Sequence, residues 1–266
     1  MMAVPIALTI AGSDSSGGAG IQADLKTFAA LDVYGASVIT ALTAQNTKGV
    51  AAIHDVPADF IATQIDAVFS DLDVGAVKIG MLGNAAAAVA VAAGLDRHRP
   101  RHVVLDPVLV ASTGADLLRA DAMDGLRSLL SRADVVTPNL FEAATLLDAP
   151  LAGDEDAMRA QAQKLLAFGA GAVLIKGGHG GGPDSVDLLV EADGCARFTA
   201  PRIATKNTHG TGCTLAAAVA AGLAKGLSLN AAVREAKAYV SAAIAAADRV
   251  KIGSGHGPVH HFHKWW

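Results

Sequence analysis

The chain is short of aromatics, of charge and of cysteine. Only 4% of its 266 residues are aromatic and 17% are charged. The formal net charge is −4 with no long run of either sign, which argues against a nucleic-acid-binding or anionic-membrane surface. Two cysteines, Cys195 and Cys213, do not make a disulfide scaffold, so reduced thiols in a cytoplasmic chain are expected. The apolar stretch 85–95 is about half the ~20 residues that a membrane span needs. The apolar start lacks the basic first region of a signal sequence and reads as a first strand. No Pro/Ser-rich linker, repeat or low-complexity tract divides the chain, so one domain over 1–266 is expected.

Ala, Val and Leu are abundant. They carry much of a 52% hydrophobic content, as in a Val/Leu-lined sheet covered by Ala-rich helices. Strand-type runs over 6–11, 36–44, 76–79, 103–106, 135–137 and 172–176 alternate with helical ones. The helices are expected over 19–31, 58–70, 85–97, 121–131, 140–147, 155–168, 212–225 and 230–248. That alternation predicts an α/β, three-layer αβα sandwich with a mostly parallel central sheet and helices on both faces. Runs over 186–191 and 196–199 flank Ala-Asp-Gly-Cys and predict a small antiparallel hairpin on one edge.

Ligands of open α/β sheets bind beyond the carboxyl ends of the strands. Polar or glycine-rich groups follow six strands here: Gly12-Ser-Asp14, Gln45-Asn46, Gly80-Met81, Asp106-Pro107, Pro138-Asn139 and Lys176-Gly-Gly-His179. Each is also an ordinary strand terminator, and it is their number that points to a site.

Two glycine-rich junctions stand out. Gly12-Ser-Asp-Ser-Ser-Gly-Gly-Ala-Gly20 has neither the Gly-Lys-Ser/Thr end of a Walker loop nor the dinucleotide spacing. It still lets a substrate approach closely. Asp24, about one turn into the next helix, is placed to accept a substrate hydrogen bond, or is simply a favourable acid in a first turn. The better phosphate site is Thr208-His-Gly210-Thr211-Gly212-Cys213-Thr214, which opens an Ala-rich helix with no charge until Lys225. The unpartnered amides and the dipole of a helix N-terminus bind anions. Gly-Thr-Gly is also a common tight turn with a threonine cap. At that position the thiol of Cys213 is expected to have a lowered pKa and to take a proton from an attacking alcohol, although bound phosphate oxygens oppose the lowering. Its bland reading is a small buried apolar residue.

Lys176 is expected over phosphate oxygens as a point charge. Asp106, with Asn139 and Glu142 at a helix start, suits Mg²⁺ held through few carboxylates and waters. Asn139 and Glu142 also fit a capping box. The tail His256-Gly-Pro-Val-His-His-Phe-His-Lys-Trp-Trp266 lacks acidic or cysteine co-ligands and is expected to pack onto an apolar surface, such as a subunit interface, rather than to bind metal.

Jointly, Thr9-Ile-Ala-Gly-Ser-Asp14, Thr43-Ala-Gln45-Asn46-Thr47, Lys78-Ile-Gly-Met81, Leu105-Asp-Pro-Val108, Thr137-Pro-Asn-Leu-Phe-Glu142 and His209-Gly-Thr-Gly-Cys-Thr214 resemble the hydroxymethylpyrimidine/phosphomethylpyrimidine kinases of thiamine biosynthesis, within the ribokinase-like superfamily. The likeness runs end to end. It implies transfer from ATP, with Mg²⁺, to 4-amino-5-hydroxymethyl-2-methylpyrimidine and then to its monophosphate, by a homodimer without nucleic-acid or membrane partners. No added synthase domain is recognised, so kinase activity alone is implied. Gly12, Asp24, Gln45, Met81 and Val108 match the pyrimidine pocket. Asp106 and Glu142 match metal-linked acids, and Lys176 the phosphate lysine. Thr208, Gly210, Thr211, Gly212 and Cys213 match the nucleotide-facing anion hole and its proposed base. A pyridoxine or pyridoxal kinase is the near alternative, since both substrates are hydroxymethyl aza-aromatics. A catalytically silent sensor of ATP or pyrimidine is the distant one, and it has no need of Asp106, Glu142, Lys176 and Cys213 together.

Overall fold

The computed structural model describes residues 4–109, 122–178 and 180–266. Nine strands form one sheet in the order β3-β2-β1-β4-β5-β6-β7-β8-β9. They are β1 (Ile6–Asp14), β2 (Tyr34–Asn46), β3 (Gly49–Asp55), β4 (Ala76–Ile79), β5 (Val103–Leu105), β6 (Val135–Val136), β7 (Ala172–Lys176), β8 (Asp184–Glu191) and β9 (Gly194–Pro201). The strands from β2 to β7 pair in parallel, and β3, β8 and β9 pair antiparallel.

The expected hairpin is therefore present as β8–β9, longer than foreseen, and the opposite edge carries a second antiparallel strand, β3. Gly49–Asp55 had no strand signal because it is an edge strand, largely open to solvent, without alternation of apolar and polar residues. The expected helix 121–131 is α4 (Met123–Leu130), and its first expected residue lies outside the described residues.

Strand parity sorts the core into two layers, because successive side chains point to opposite faces. Leu8, Ile10, Val77, Ile79, Leu105, Val136, Val173 and Ile175 pack on one face against α2 (Ala58–Phe69), α3 (Ala85–His98), α4, α5 (Leu140–Leu147) and α6 (Glu155–Leu166). Ala7, Ala76, Val104, Val135, Ala172 and Leu174 pack on the other against α1 (Gly20–Ala30), α7 (Thr211–Ala224) and α8 (Leu229–Ala245). Helix α7 is buried along nearly its whole length, and its alanines and glycines let neighbours approach. A Cβ at Gly222 would lie 2.8 Å from the Cβ of Ala232 in α8. Among the described residues no helix is long and apolar enough to cross a membrane.

The chain order places β2 and β4 on opposite sides of β1. The reversal opens a crevice at the carboxyl ends of β1 and β4, where doubly wound sheets bind ligands.

Candidate active site

The same parity that builds the α7-side core delivers the site's polar groups. Thr9 follows Ala7 by two, Lys78 follows Ala76, Asp106 follows Val104, Thr137 follows Val135 and Lys176 follows Leu174. All five therefore aim at the α1/α7 layer near the carboxyl ends of their strands. A cavity of about 740 Å³ opens above them.

Its wall includes Gly12, Gln45, Met81 and Val108 on one side and Thr208, Gly210, Thr211, Gly212 and Cys213 on the other. Lys176, Asp106 and Glu142 lie in the same wall. Gly12 donates its N–H to the carbonyl of Met81 at 3.1 Å, and a Cβ there would lie 3.0 Å from the Met81 sulfur, so a larger residue would have to displace that thioether. Gln45 accepts a hydrogen bond from Thr43 Oγ1 through its Oε1, at 3.1 Å.

Asp24 is placed differently. It is fully buried and absent from the cavity wall. Its Oδ2 accepts from Thr9 Oγ1 at 2.6 Å and from Lys78 Nζ at 2.9 Å, while its Oδ1 has no partner. Burial pushes this carboxyl up, against the pull of Lys78 and Thr9. Lys78 is the group the sequence reading passed over. It is wholly buried, it lines the cavity, and burial fails to neutralise it because Asp24 and Asp106 hold it charged. A lysine inside the apolar run Ala76–Ile79 was the available signal, since a charge in a buried strand must have a partner. A second unforeseen pair, Lys237 to Asp187 at 2.7 Å, lines the end of the cavity beside the β8–β9 hairpin.

Helix α7 begins at Gly210, whose φ of +78° is left-handed, and no side chain caps it. Thr211 donates its N–H and its hydroxyl to the carbonyl of Thr208. The amides of Gly212 and Cys213 have no partner among the described residues. No acidic residue occupies this first turn. A Cβ at Gly212 would lie 3.3 Å from Lys176 Nζ and 3.8 Å from Asp106 Oδ2, so the ammonium stands at the mouth of the helix. Open amides beside an ammonium have the chemistry to hold an anion.

Lys176 Nζ donates to Asp106 Oδ1 at 2.8 Å and lies 3.8 Å from Glu142 Oε2. Its backbone N–H donates to the carbonyl of Pro138, which docks β7 beside the Thr137–Glu142 turn. Burial raises Asp106, but Lys176 and Lys78 more than reverse it and hold the carboxyl low. Glu142 lacks as strong a partner, and burial pushes it up to about 7. The capping box is formed as well: Asn139 Oδ1 accepts from the Glu142 N–H at 2.9 Å, and Glu142 Oε2 from the Asn139 N–H at 2.7 Å. Among the described residues Asp106 Oδ2 and Glu142 Oε1 accept no protein hydrogen bond, and no group of three or more His, Cys, Asp or Glu forms a metal cage. Two open carboxylate oxygens beside an anion site suit Mg²⁺, which keeps several waters and leans on phosphate oxygens.

The thiol of Cys213 departs from expectation. It is half-buried at the head of α7, and burial pushes it up to about 11. Lys78 and the backbone hydrogen bond from Gly20 pull it down, but Asp24 and Asp106 push it up. The helix terminus alone does not make a resting thiolate here.

The histidine-rich tail packs within the chain. His260 donates its N–H to the carbonyl of Ala243, Tyr239 donates its hydroxyl to the carbonyl of His261, and His261 Nε2 meets Thr214 Oγ1 at 3.1 Å. Burial drives His261 down to about 3, which leaves it neutral. His179, the last residue of the Lys176 motif, lies outside the described residues.

A hydroxymethylpyrimidine/phosphomethylpyrimidine kinase of Rhizobium meliloti is 61% identical over 262 residues, 98% of each chain. A thiamine biosynthesis bifunctional protein of Geobacter sulfurreducens is 54% identical over 255 residues, 96% of this chain and 51% of that one. The pyridoxal kinase of Staphylococcus aureus, solved with AMP-PCP and pyridoxal, superposes with a TM-score of 0.90 at 34% identity, over 98% of this chain and 95% of that one. The profile of the family described as phosphomethylpyrimidine kinase matches residues 14–260, and the chain belongs to that family.

Proposed function

We propose that this chain transfers the terminal phosphoryl group of ATP to 4-amino-5-hydroxymethyl-2-methylpyrimidine, and then phosphorylates the monophosphate to the diphosphate, in thiamine biosynthesis. One observation carries the reading. The unpartnered amides of Gly212 and Cys213, with Lys176 at their mouth, share one cavity with the polar and thioether wall of Gly12, Gln45 and Met81. A relative named for this activity and one named for thiamine biosynthesis support it.

In this reading the γ-phosphate rests on the two amides, and Lys176 balances its charge. The hydroxymethyl oxygen forms a bond to the γ-phosphorus while the bond from that phosphorus to the bridging oxygen breaks, and ADP leaves. The hydroxyl proton passes to the Cys213 thiolate. Burial makes that thiolate a minor form at neutral pH, so positioning and charge neutralisation supply most of the acceleration. Mg²⁺ bound with the triphosphate would neutralise oxygens that the amides and Lys176 do not reach, held by Asp106 and Glu142. Asp24 acts from behind the wall in this reading, by holding Lys78 in place. The protein works as a homodimer in the cytoplasm, a state that sedimentation of the purified chain checks.

The S. aureus relative keeps the pyridoxal reading in view. A steady-state assay with ATP, Mg²⁺ and each alcohol decides between them. A higher kcat/KM for the pyrimidine is expected. A preference for pyridoxal, or no turnover of either, overturns the assignment.

A further inference from the structure

The two glycine-rich loops are 195 residues apart in sequence yet joined by a buried pair. Asp14 Oδ2 lies 2.8 Å from His209 Nε2, and both residues are buried. The same oxygen accepts the N–H groups of Gly18 at 3.1 Å and Ala19 at 2.8 Å. Oδ1 accepts the N–H and hydroxyl of Ser16, each at 2.8 Å. Burial alone would raise this carboxyl, but the hydrogen bonds from His209 and Ser16 bring it down to about 2. It is ionised at any working pH, so Nε2 of His209 is the donor.

The pair closes a continuous path across the site. Ser15, next to Asp14, grips the main chain of Gln45: its hydroxyl donates to the Gln45 carbonyl at 2.7 Å and accepts the Gln45 N–H at 2.9 Å. At the other end His209 precedes Gly210, the first residue of the anion loop. The backbones touch there, since a Cβ on Gly210 would sit 1.9 Å from the carbonyl oxygen of Gly18, and one on Gly18 would sit 2.4 Å from Cδ2 of His209. A second strap runs parallel to the first. His209 donates its N–H to the carbonyl of Gly257, and the two residues before it, Gly255 and His256, donate their amides to Thr47, two residues beyond Gln45.

We propose that His209 is a positioning residue that, through Asp14 and Ser15, couples the pyrimidine wall at Gln45 to the anion loop at Gly210–Cys213, so that filling either half raises the affinity of the other. This rests on the kinase reading of the site. Packed, hydrogen-bonded elements that shift together are the physical means by which two sites influence each other. The coupling is reciprocal in binding free energy, so it can be measured from either ligand.

The experiment is calorimetric titration of the pyrimidine alcohol into the full chain, with and without saturating AMP-PCP. About tenfold tighter binding with the nucleotide analogue is expected, within the usual range of such couplings. His209→Ala should bring the factor below about twofold. His209→Gln should restore most of it, because its amide also donates. Ser15→Ala breaks the path at its exposed end without touching the buried pair, and it should lower the coupling while thermal stability stays near wild type. Should His209→Ala fail to fold, Ser15→Ala and Asp14→Asn decide the matter alone. Wild-type coupling retained in Ser15→Ala and in whichever buried-pair variant folds overturns the proposal, as does a wild type without coupling. Failure of the wild type to bind either ligand overturns the kinase reading itself.

Discussion

The two glycine-rich junctions look alike in sequence and differ in what happens to their amides. At the first, the loop's own carboxylate takes the amides of Ser16, Gly18 and Ala19, and the Gly20 amide turns to the sulfur of Cys213. At the second, no side chain caps the helix, no acid sits in the first turn, and the amides of Gly212 and Cys213 remain open. One junction is internally neutralised and becomes a wall. The other keeps its positive end for a ligand. Glycine content says that a backbone can approach something, and the local carboxylate decides whether that something is the protein itself.

Substitutions can break that contrast. The largest effect is expected at Cys213. Cys213→Ala should lower kcat by about 10²–10⁴-fold if the thiolate is the base. In the wild type kcat should climb with pH above neutrality, because the reactive form is deprotonated and burial holds the thiol near 11. A flat alkaline profile with near-normal kcat in the alanine variant would reduce Cys213 to a positioning residue. Next comes Gly212→Ala, whose new Cβ would crowd the Lys176 ammonium. Pushing that ammonium off the bound phosphate loses a charged hydrogen bond, about 1.5–3 kcal/mol, so the KM for ATP should rise roughly ten- to a hundredfold with little change in Tm. An unchanged KM would mean the phosphate binds elsewhere.

The first junction should respond in stability instead. Asp14→Asn should cost about 1–3 kcal/mol near neutral pH, from donors left unsatisfied. The sign with pH follows from the lowered carboxyl: its contribution is whole above the ordinary value of 3.8 and is lost as pH falls through about 2. Melting curves of wild type and variant should therefore converge in acid, and a constant gap would place the effect outside ionisation. The smallest change is expected for Gln45→Ala, a two- to tenfold rise in the pyrimidine KM, about one neutral hydrogen bond, with ATP unaffected. A parallel loss of ATP affinity would move Gln45 out of the pyrimidine wall.

Much of the site was legible because parity is local. Knowing that Ala76, Val104 and Leu174 face α7 is enough to aim Lys78, Asp106 and Lys176 at the same side. The glycine turn before an uncharged alanine helix likewise pointed to the uncapped amides at the head of α7. Asp24 shows where that reasoning stops. Its place on α1 was clear, but its partner is Lys78, 54 residues away on a strand two positions along in chain order from β2, and only folding reveals that the pair faces inward. Cys213 shows the same limit in electrostatics: the helix end is a sequence feature, whereas the burial that overrides it is not.

By itself the amino-acid order determined the alternation of strands and helices, which residues of a strand share a face, and the amide-rich turn at the head of α7, because each depends on neighbours within a few residues. Tertiary structure alone decided which carboxylate meets which nitrogen donor: Asp14 with His209, Asp24 with Lys78, Asp106 with Lys176. Those partners are brought together by the crossing of distant strands and helices, and their protonation follows from how much water the packed walls exclude.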